Sequence, residues 1–209
     1  MGFDWRLVAV CHGGSPGDPR ERRIDRRLRL HQALGLGAGR HCLPHWFITN
    51  KLPRVGRINL TYELTEAGTT RTEFSIVRRG KDGYYLVSAG VWTAYDADYQ
   101  RKAADDCTVR GGGAVLVRDV TTQWGVFALA GPNSRTLLKS LVRDAERETV
   151  LSNKRFPWLS IRDFKLLMCP TVALRLAYTG ELGRELHHPI EMQTFVFDRL
   201  MEAGEPLGP

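Results

Sequence analysis

Alternating apolar and polar residues from position 58 onward predict a meander of three strands. The period of two is typical of strands with one buried face, and in the first strand the apolar positions are Ile58, Leu60, Tyr62 and Leu64. The segments EAGT and RRGKDG predict turns, Phe74 and Ile76 continue the alternation between them, and YYLVSA at 84–89 predicts the third strand.

The rest of the chain alternates helical and strand patterns. Proline suits the first turn of a helix, so a helix is expected from Pro132. The other expected elements are a helix over 94–105, strands at 114–120 and 124–131, a strand over 172–178, a short strand at 184–188, and a helix from about Ile190. Strand pairs that alternate with single helices predict an α+β fold, with antiparallel sheets and packed helices.

Residues 1–45 differ from the remainder in composition. They contain the turn cluster GGSPGDPRE, the arginine run ERRIDRRLRL and the small-residue stretch GLGAGRHCLPH. These segments lack the hydrophobic periodicity of helices and strands that pack in a core. We therefore divide the chain into a divergent basic segment, 1–45, expected to be disordered or to come from a frame-shifted reading frame, and a domain over 46–209.

Charge and composition exclude several classes of protein. The net charge is +7, but residues 1–57 hold 11 Lys or Arg and 4 Asp or Glu, whereas the remaining residues hold 19 of each. A basic excess confined to one end argues against a nucleic-acid partner. No apolar run is long enough for a membrane span and no leader pattern begins the chain, so we expect a cytoplasmic protein with no membrane partner.

Metal and nucleophilic chemistry find no support in the sequence. The four cysteines form no C-x-x-C pair, and free, mostly buried thiols are expected. His187 and His188 are adjacent on a predicted strand, where neighbouring side chains point to opposite faces, so they cannot readily share one ion. No Ser-His-Asp or Cys-His constellation can be argued, and the catalytic residues stay unknown.

Three segments resemble the aminomethyltransferase (glycine-cleavage T-protein) folate-binding family. They are NKLPRVGRINLTYELTEAGTTRTEFSIVR at 50–78, WGVFALAGPNSRTLL at 124–138 and RLAYTGELGRELHHP at 175–189. Their order and spacing are those of the family, and the resemblance covers about residues 46–207. It implies an aminomethyltransferase-type folate-binding domain, incomplete at both ends.

Variant forms of these motifs are similar to the folate domain of dimethylglycine and sarcosine dehydrogenases. In those enzymes a flavin domain precedes the folate domain, whereas GLGAGR at 35–40 lacks the context of a dinucleotide fingerprint. The resemblance implies one-carbon transfer to tetrahydrofolate, with reduced folate and a flavoprotein domain or chain as partners. We expect a fragment that is inactive alone. A non-enzymatic folate-binding or regulatory module on the same fold is the alternative.

The resemblance assigns recognition of the pterin ring to Glu181 in YTGELG. One carboxylate can accept both the ring N–H and the exocyclic amino group of a pterin. The flanking glycines, Gly180 and Gly183, would let a flat ring approach the backbone closely. The alternative is that Glu181 is an ordinary solvated glutamate in a turn, without a ligand.

Four further residues carry over from the family as folate contacts. Tyr178 ends its strand and either faces the pterin or caps the core. Tyr85 and Val87 lie on YYLVSA, which lines the folate pocket in the family, although core packing explains them equally well. Glu73 aligns with an acidic position where T-proteins carry a pair of aspartates, and here Thr72 and Glu73 replace the pair. That replacement puts proton transfer by Glu73 in doubt.

Overall fold

Two five-stranded antiparallel sheets carry the fold. The computed structural model describes the backbone of residues 6–10 and 30–36, and it describes residues 48–81, 83–109, 114–177 and 180–207 with their side chains, except those of 149–150. The chain divides into two compact units, the terminal unit, formed by residues 1–28 and 122–209, and the middle unit, formed by residues 29–121.

The middle unit is one sheet with a long helix on one face. The strand order is β3-β4-β5-β2-β6. The elements are β2 (Leu30–Leu36), β3 (Ile58–Leu64), β4 (Thr70–Arg78), β5 (Gly83–Ala89), β6 (Leu116–Asp119) and helix α1 (Thr93–Val109). Its apolar core on the helix side consists of Phe74, Ile76, Tyr84 and Leu86, with Tyr99 and Ala103 of α1 packed against them. The predicted meander and the helix after it are confirmed.

Most of the buried residues of β3 lie on the face opposite the predicted one, with Ile58 as the exception. Leu60 and Leu64 are 45% and 41% exposed, whereas Thr61 and Glu63 are buried. Thr61 is directly opposite Phe74, so these polar side chains share the face that packs on α1. The alternation therefore predicted the strand correctly and, apart from Ile58, its inward side wrongly.

In the described part of the terminal unit, three helices pack against the second sheet, which has the order β1-β7-β10-β9-β8. The elements are β1 (Arg6–Val10), β7 (Trp124–Ala130), α2 (Ser134–Leu141), α3 (Asp144–Leu151), β8 (Ser160–Leu166), β9 (Cys169–Arg175), β10 (Gly183–Pro189) and α4 (Gln193–Gly204). The core joins Phe127 and Leu186 of the sheet to Leu137 of α2 and Leu200 of α4.

The α+β class with antiparallel sheets is confirmed, and among the described residues one α-helix and three strands went unpredicted. Two of these are α3 and β8 in the terminal unit. The other two, β1 and β2, lie within residues 1–45, and each is paired in a ladder, β1 with β7 and β2 with β5 and β6. Cys107 and Cys169 are free and buried, as expected, whereas Cys11 and Cys42 lie outside the described residues. No helix among the described residues is long and apolar enough to cross a membrane.

Candidate functional site

Glu181 lies in an exposed turn that is anchored to the start of helix α2. The Leu182 carbonyl accepts two hydrogen bonds, one from the Gly131 amide at 3.1 Å and one from the Ser134 hydroxyl at 3.0 Å. Gly180 adopts a φ of 84°, a left-handed conformation that favours glycine. The turn therefore presents the Glu181 carboxylate to solvent, and the residue after it is held by Gly131 and Ser134.

Gly183 closes this turn against the preceding strand. A Cβ atom added at Gly183 would lie 2.8 Å from the Ala177 Cβ and 3.0 Å from the Leu176 carbonyl oxygen. Only glycine permits so close an approach without a backbone shift. Tyr178, the other predicted residue of this motif, lies outside the described residues.

Glu73, Tyr85 and Val87 occupy one face of the middle-unit sheet, the face away from α1. The ladders place Val77 opposite Tyr85 and Ser75 opposite Val87, and Glu73 continues the same side of β4. Tyr85 and Val87 are buried, whereas Glu73 is exposed. The structure thus brings these three predicted residues to a common face, while Glu181 belongs to the terminal unit. Their roles as folate contacts stay predictions.

Glu73 has a partner directly across the ladder in Tyr62. The two residues are paired in register, and the Tyr62 hydroxyl hydrogen-bonds the Glu73 carboxylate. This hydrogen bond, then the negative charge of Glu73 and burial, raise the pKa of Tyr62. Glu73 therefore lies beside a neutral phenol on this face of the sheet.

The opposite face of the sheet buries two carboxylates. Glu63 on β3 is 1% exposed and Asp96 on α1 is fully buried. The Ser88 hydroxyl donates a 2.5 Å hydrogen bond to Asp96 Oδ2. Both oxygens of Glu63 are shielded from solvent and have no hydrogen-bond partner among the described residues.

Burial, then the negative charge of Asp96, raise the pKa of Glu63 to about 8 against the opposing effect of Arg71. A carboxyl group with that pKa is mostly protonated at neutral pH, and it can then donate a proton or a hydrogen bond. Groups of this kind occur at functional sites as well as in structural networks.

Arg71 and two tyrosines border the carboxylate pair. The Arg71 guanidinium stands 4.3 Å from the Tyr95 ring centroid and 4.1 Å from that of Tyr99, within range of cation–π attraction. Burial raises the pKa of Tyr99, with the charge of Glu63 adding to the effect. Glu63, Asp96, Ser88, Arg71, Tyr95 and Tyr99 are the α1-face cluster.

Sequence reasoning missed the α1-face cluster because its members come from β3, β4, β5 and α1. Glu63 was assigned to the polar, outward side of its strand, so its burial could not be read from periodicity. The available signal was Asp96, an acidic residue placed on the helix flank between the apolar residues Tyr95 and Ala97.

The two histidines of β10 are both buried and face opposite sides of the sheet. His187 Nε2 lies 3.1 Å from Glu185 Oε2, whereas His188 Nδ1 lies 3.0 Å from the Leu186 carbonyl. Across the described ranges no group of three or more His, Cys, Asp or Glu residues is arranged to hold a metal ion.

The arrangement of sheets and helices is that of aminomethyltransferase-like proteins. The aminomethyltransferase T of the glycine cleavage system from Bartonella henselae superposes over 95% of this chain and 46% of its own, with a TM-score of 0.70 at 16% identity. A chain of the heterotetrameric sarcosine oxidase from Corynebacterium sp. U-96 superposes over 99% of this chain and 87% of its own, with a TM-score of 0.66 at 17% identity. At these identities the likeness establishes the fold alone.

The chain belongs to the GCVT N-terminal domain family, whose model matches residues 36–209. Among curated relatives, the mitochondrial dimethylglycine dehydrogenase of Mus musculus is 31% identical over 166 residues, which are 79% of this chain and 18% of the relative. The resemblance drawn from the three motifs is therefore confirmed. The chain spans less than a fifth of the length of that dehydrogenase.

Proposed function

We propose that this chain is a tetrahydrofolate-binding domain for one-carbon transfer from a methylated glycine or aminomethyl donor, within a larger dimethylglycine or sarcosine dehydrogenase-like protein. The observation that carries the proposal is Glu181, exposed on an anchored glycine turn in a member of the GCVT N-terminal domain family. Relatives named aminomethyltransferase and dimethylglycine dehydrogenase support it.

The fit of Glu181 to a pterin rests on geometry and charge. An exposed carboxylate can accept two parallel hydrogen bonds from the pterin ring N–H and amino group, which fixes orientation as well as affinity. Gly180 carries no side chain, and a Cβ atom added to it would meet nothing within 4 Å. A flat ring can therefore lie against this part of the turn.

Positioning is the protein's main share of the proposed reaction. Tetrahydrofolate supplies the nucleophilic nitrogens N5 and N10, so the domain needs to orient the folate and exclude competing water. We assign contacts with the folate to Tyr85 and Val87, which are buried on β5, and to Tyr178. Glu73, hydrogen-bonded to Tyr62, is assigned a polar contact and not the proton transfer step.

The partner we propose is a flavoprotein domain or chain that oxidises the amine and delivers the one-carbon unit. The sarcosine oxidase whose chain shares this fold is a heterotetramer, and dimethylglycine dehydrogenase is named for an oxidation. This chain alone is therefore expected to oxidise neither dimethylglycine nor sarcosine.

Calorimetric titration with folinate, a stable reduced folate, tests the binding step. We expect micromolar or weaker affinity, and Glu181→Gln should weaken it by roughly 1 to 3 kcal/mol, because one charge-assisted pair becomes a neutral contact with a mispaired donor. Glu148→Gln, at an exposed glutamate of α3, is the matched control and should bind as the wild type does. Equal affinities of wild type and Glu181→Gln would remove Glu181 from the site.

A second assay separates transfer from binding alone. The chain is added to a flavoenzyme that oxidises dimethylglycine but binds no folate, and formation of 5,10-methylenetetrahydrofolate is followed. Faster formation with the wild type than with Glu181→Gln supports the transfer domain. Folinate binding without any acceleration would favour the non-enzymatic folate-binding module instead.

A further inference from the structure

Arg184 places a cation inside the terminal unit. This residue of β10 is 1% exposed, the largest of the fully buried side chains among the described residues. Its neighbour across the ladder on β7 is Leu129, which is also buried. Arginine carries five N–H donors and no acceptor, so a buried guanidinium requires oxygen atoms around it.

No acceptor for Arg184 is found within the described ranges. Its Nε, Nη1 and Nη2 atoms are shielded from solvent and none has a hydrogen-bond partner there. The guanidinium carbon lies 5.9 Å from the Phe156 ring centroid, near the outer limit for cation–π attraction. The ring attracts the positive charge, but it accepts no hydrogen bond from the N–H groups in the plane of the guanidinium.

Two more arginines surround this group and increase its electrostatic cost. Burial, then the charges of Arg135 and Arg175, lower the pKa of Arg184 to about 10. Burial and Arg135 likewise lower the pKa of Arg175. With a pKa of about 10, Arg184 is still charged at neutral pH, so three positive charges stand together.

Hydrogen bonds of the neighbouring arginines leave donors available. Arg175 donates to the Phe156 carbonyl, and Arg135 Nη2 donates to Asn153 Oδ1 at 2.5 Å. The Arg135 Nε is buried and has no partner within the described residues. The contacts thus hold both guanidinium groups in place without neutralising either.

The nearest acidic residue in sequence does not neutralise the group. Glu185 follows Arg184 on β10, so its side chain points to the opposite face of the sheet. There its carboxylate lies 3.1 Å from His187 Nε2. Uncompensated buried charge is strongly destabilising, and a counter-charge removes most of that cost.

We infer that Arg135, Arg175 and Arg184 form a binding site for a small tetrahedral oxyanion of the phosphate class. Guanidinium groups match such oxygens with paired N–H donors, and three of them favour a dianion over a monoanion. The inward position of Arg184 selects a small ion. This site is formed by β9, β10 and α2, it does not include Glu181, and it is independent of the folate proposal.

Inorganic phosphate is the probe, and sodium chloride at matched ionic strength is the reference. We expect saturable binding by calorimetry and a rise in Tm of about 5 °C or more at saturating phosphate. Arg184→Met keeps side-chain volume and removes the charge, so it should abolish the phosphate response and unfold in chloride at the wild-type Tm or above.

Arg199→Met is the matched control, because Arg199 is 41% exposed on α4 and pairs with Glu202 at 2.6 Å. It removes the same charge and should keep the full phosphate response. Arg184→Lys serves if the methionine variant does not fold: a lysine point charge lacks the fork geometry, and affinity for phosphate should fall at least tenfold. Equal responses to phosphate and chloride in the wild type, or an unchanged phosphate response in both Arg184 variants, would overturn the site.

Discussion

The Ser88 hydroxyl donates a 2.5 Å hydrogen bond to Asp96 Oδ2, which ties strand β5 to helix α1 across the buried side of the middle-unit sheet. Both residues are at most 5% exposed. A hydrogen bond to a buried charge contributes more than a neutral one, because the oxygen it satisfies has lost its water.

Ser88→Ala should therefore lower the free energy of unfolding by roughly 1.5 to 3 kcal/mol. Urea denaturation followed by circular dichroism measures the change. Ser75→Ala, at a half-buried serine of β4 on the other side of the sheet, is the control and is expected to cost much less. If both variants lost a similar free energy of unfolding, the hydrogen bond from Ser88 to Asp96 would make no specific contribution to stability.

Glu63→Gln should remove a pH dependence of stability. The pKa of Glu63 is raised from 4.5 to about 8 in the folded chain, so its contribution is fully present below pH 4.5 and is lost as the pH rises through 8. The loss over this window amounts to roughly 3 to 5 kcal/mol. Glutamine resembles the protonated acid, so its curve should be flatter between pH 5 and 8. A wild-type free energy of unfolding that rises across this window would contradict the assignment.

His188→Asn should protect the protein against acid. Burial lowers the pKa of His188 from 6.5 to about 4, with the His187 charge adding to it and the Leu186 carbonyl opposing it. Because the folded pKa is depressed, stability is full above pH 6.5 and falls by roughly 3 kcal/mol as the pH drops to 4. Asparagine keeps a donor for Leu186 without titrating. Parallel stability curves for the two proteins below pH 6 would exclude His188 as the cause.

Leu34→Pro tests whether residues 1–45 belong to the domain. Leu34 is opposite both Tyr85 of β5 and Arg118 of β6. Proline inside a central strand removes a ladder hydrogen bond at a cost of about 1 to 3 kcal/mol, so the Tm should fall. The control is Glu66→Pro in the exposed turn closed by the Gly68 amide and Thr65 carbonyl, where proline is tolerated. An unchanged Tm for Leu34→Pro would support a segment outside the native fold.

Sequence patterns predicted the elements whose apolar residues recur along one face. Leu137, Leu138 and Leu141 mark helix α2, and all three are buried. Helix α3 was missed because half of Asp144–Leu151 is charged and the segment lacks such a stripe. Strand β8 was missed since Arg162 and Lys165 interrupt its apolar positions.

The buried polar residues could not be predicted from the sequence for a different reason. Glu63 interacts with Asp96 and Arg71, and Arg184 interacts with Arg135 and Arg175, so each cluster joins residues that are distant in sequence. A single sequence contains the residue types but not their pairing. The motif around Glu181, in contrast, is local, and the turn that carries it could be predicted directly.

The positions of strands β1 and β2 in the chain affect how the domain folds during synthesis. The first is translated long before its partner β7, and the second sits between β5 and β6, which both follow it. Each sheet is therefore completed only when strands distant in sequence pair and close a long loop. The loss of chain entropy on closing the loop precedes the stabilising contacts. A nascent chain that has reached β5 still lacks β6 and β7, so open strand edges are exposed throughout elongation. Folding of this domain should consequently be slow and sensitive to chaperones that cover such edges.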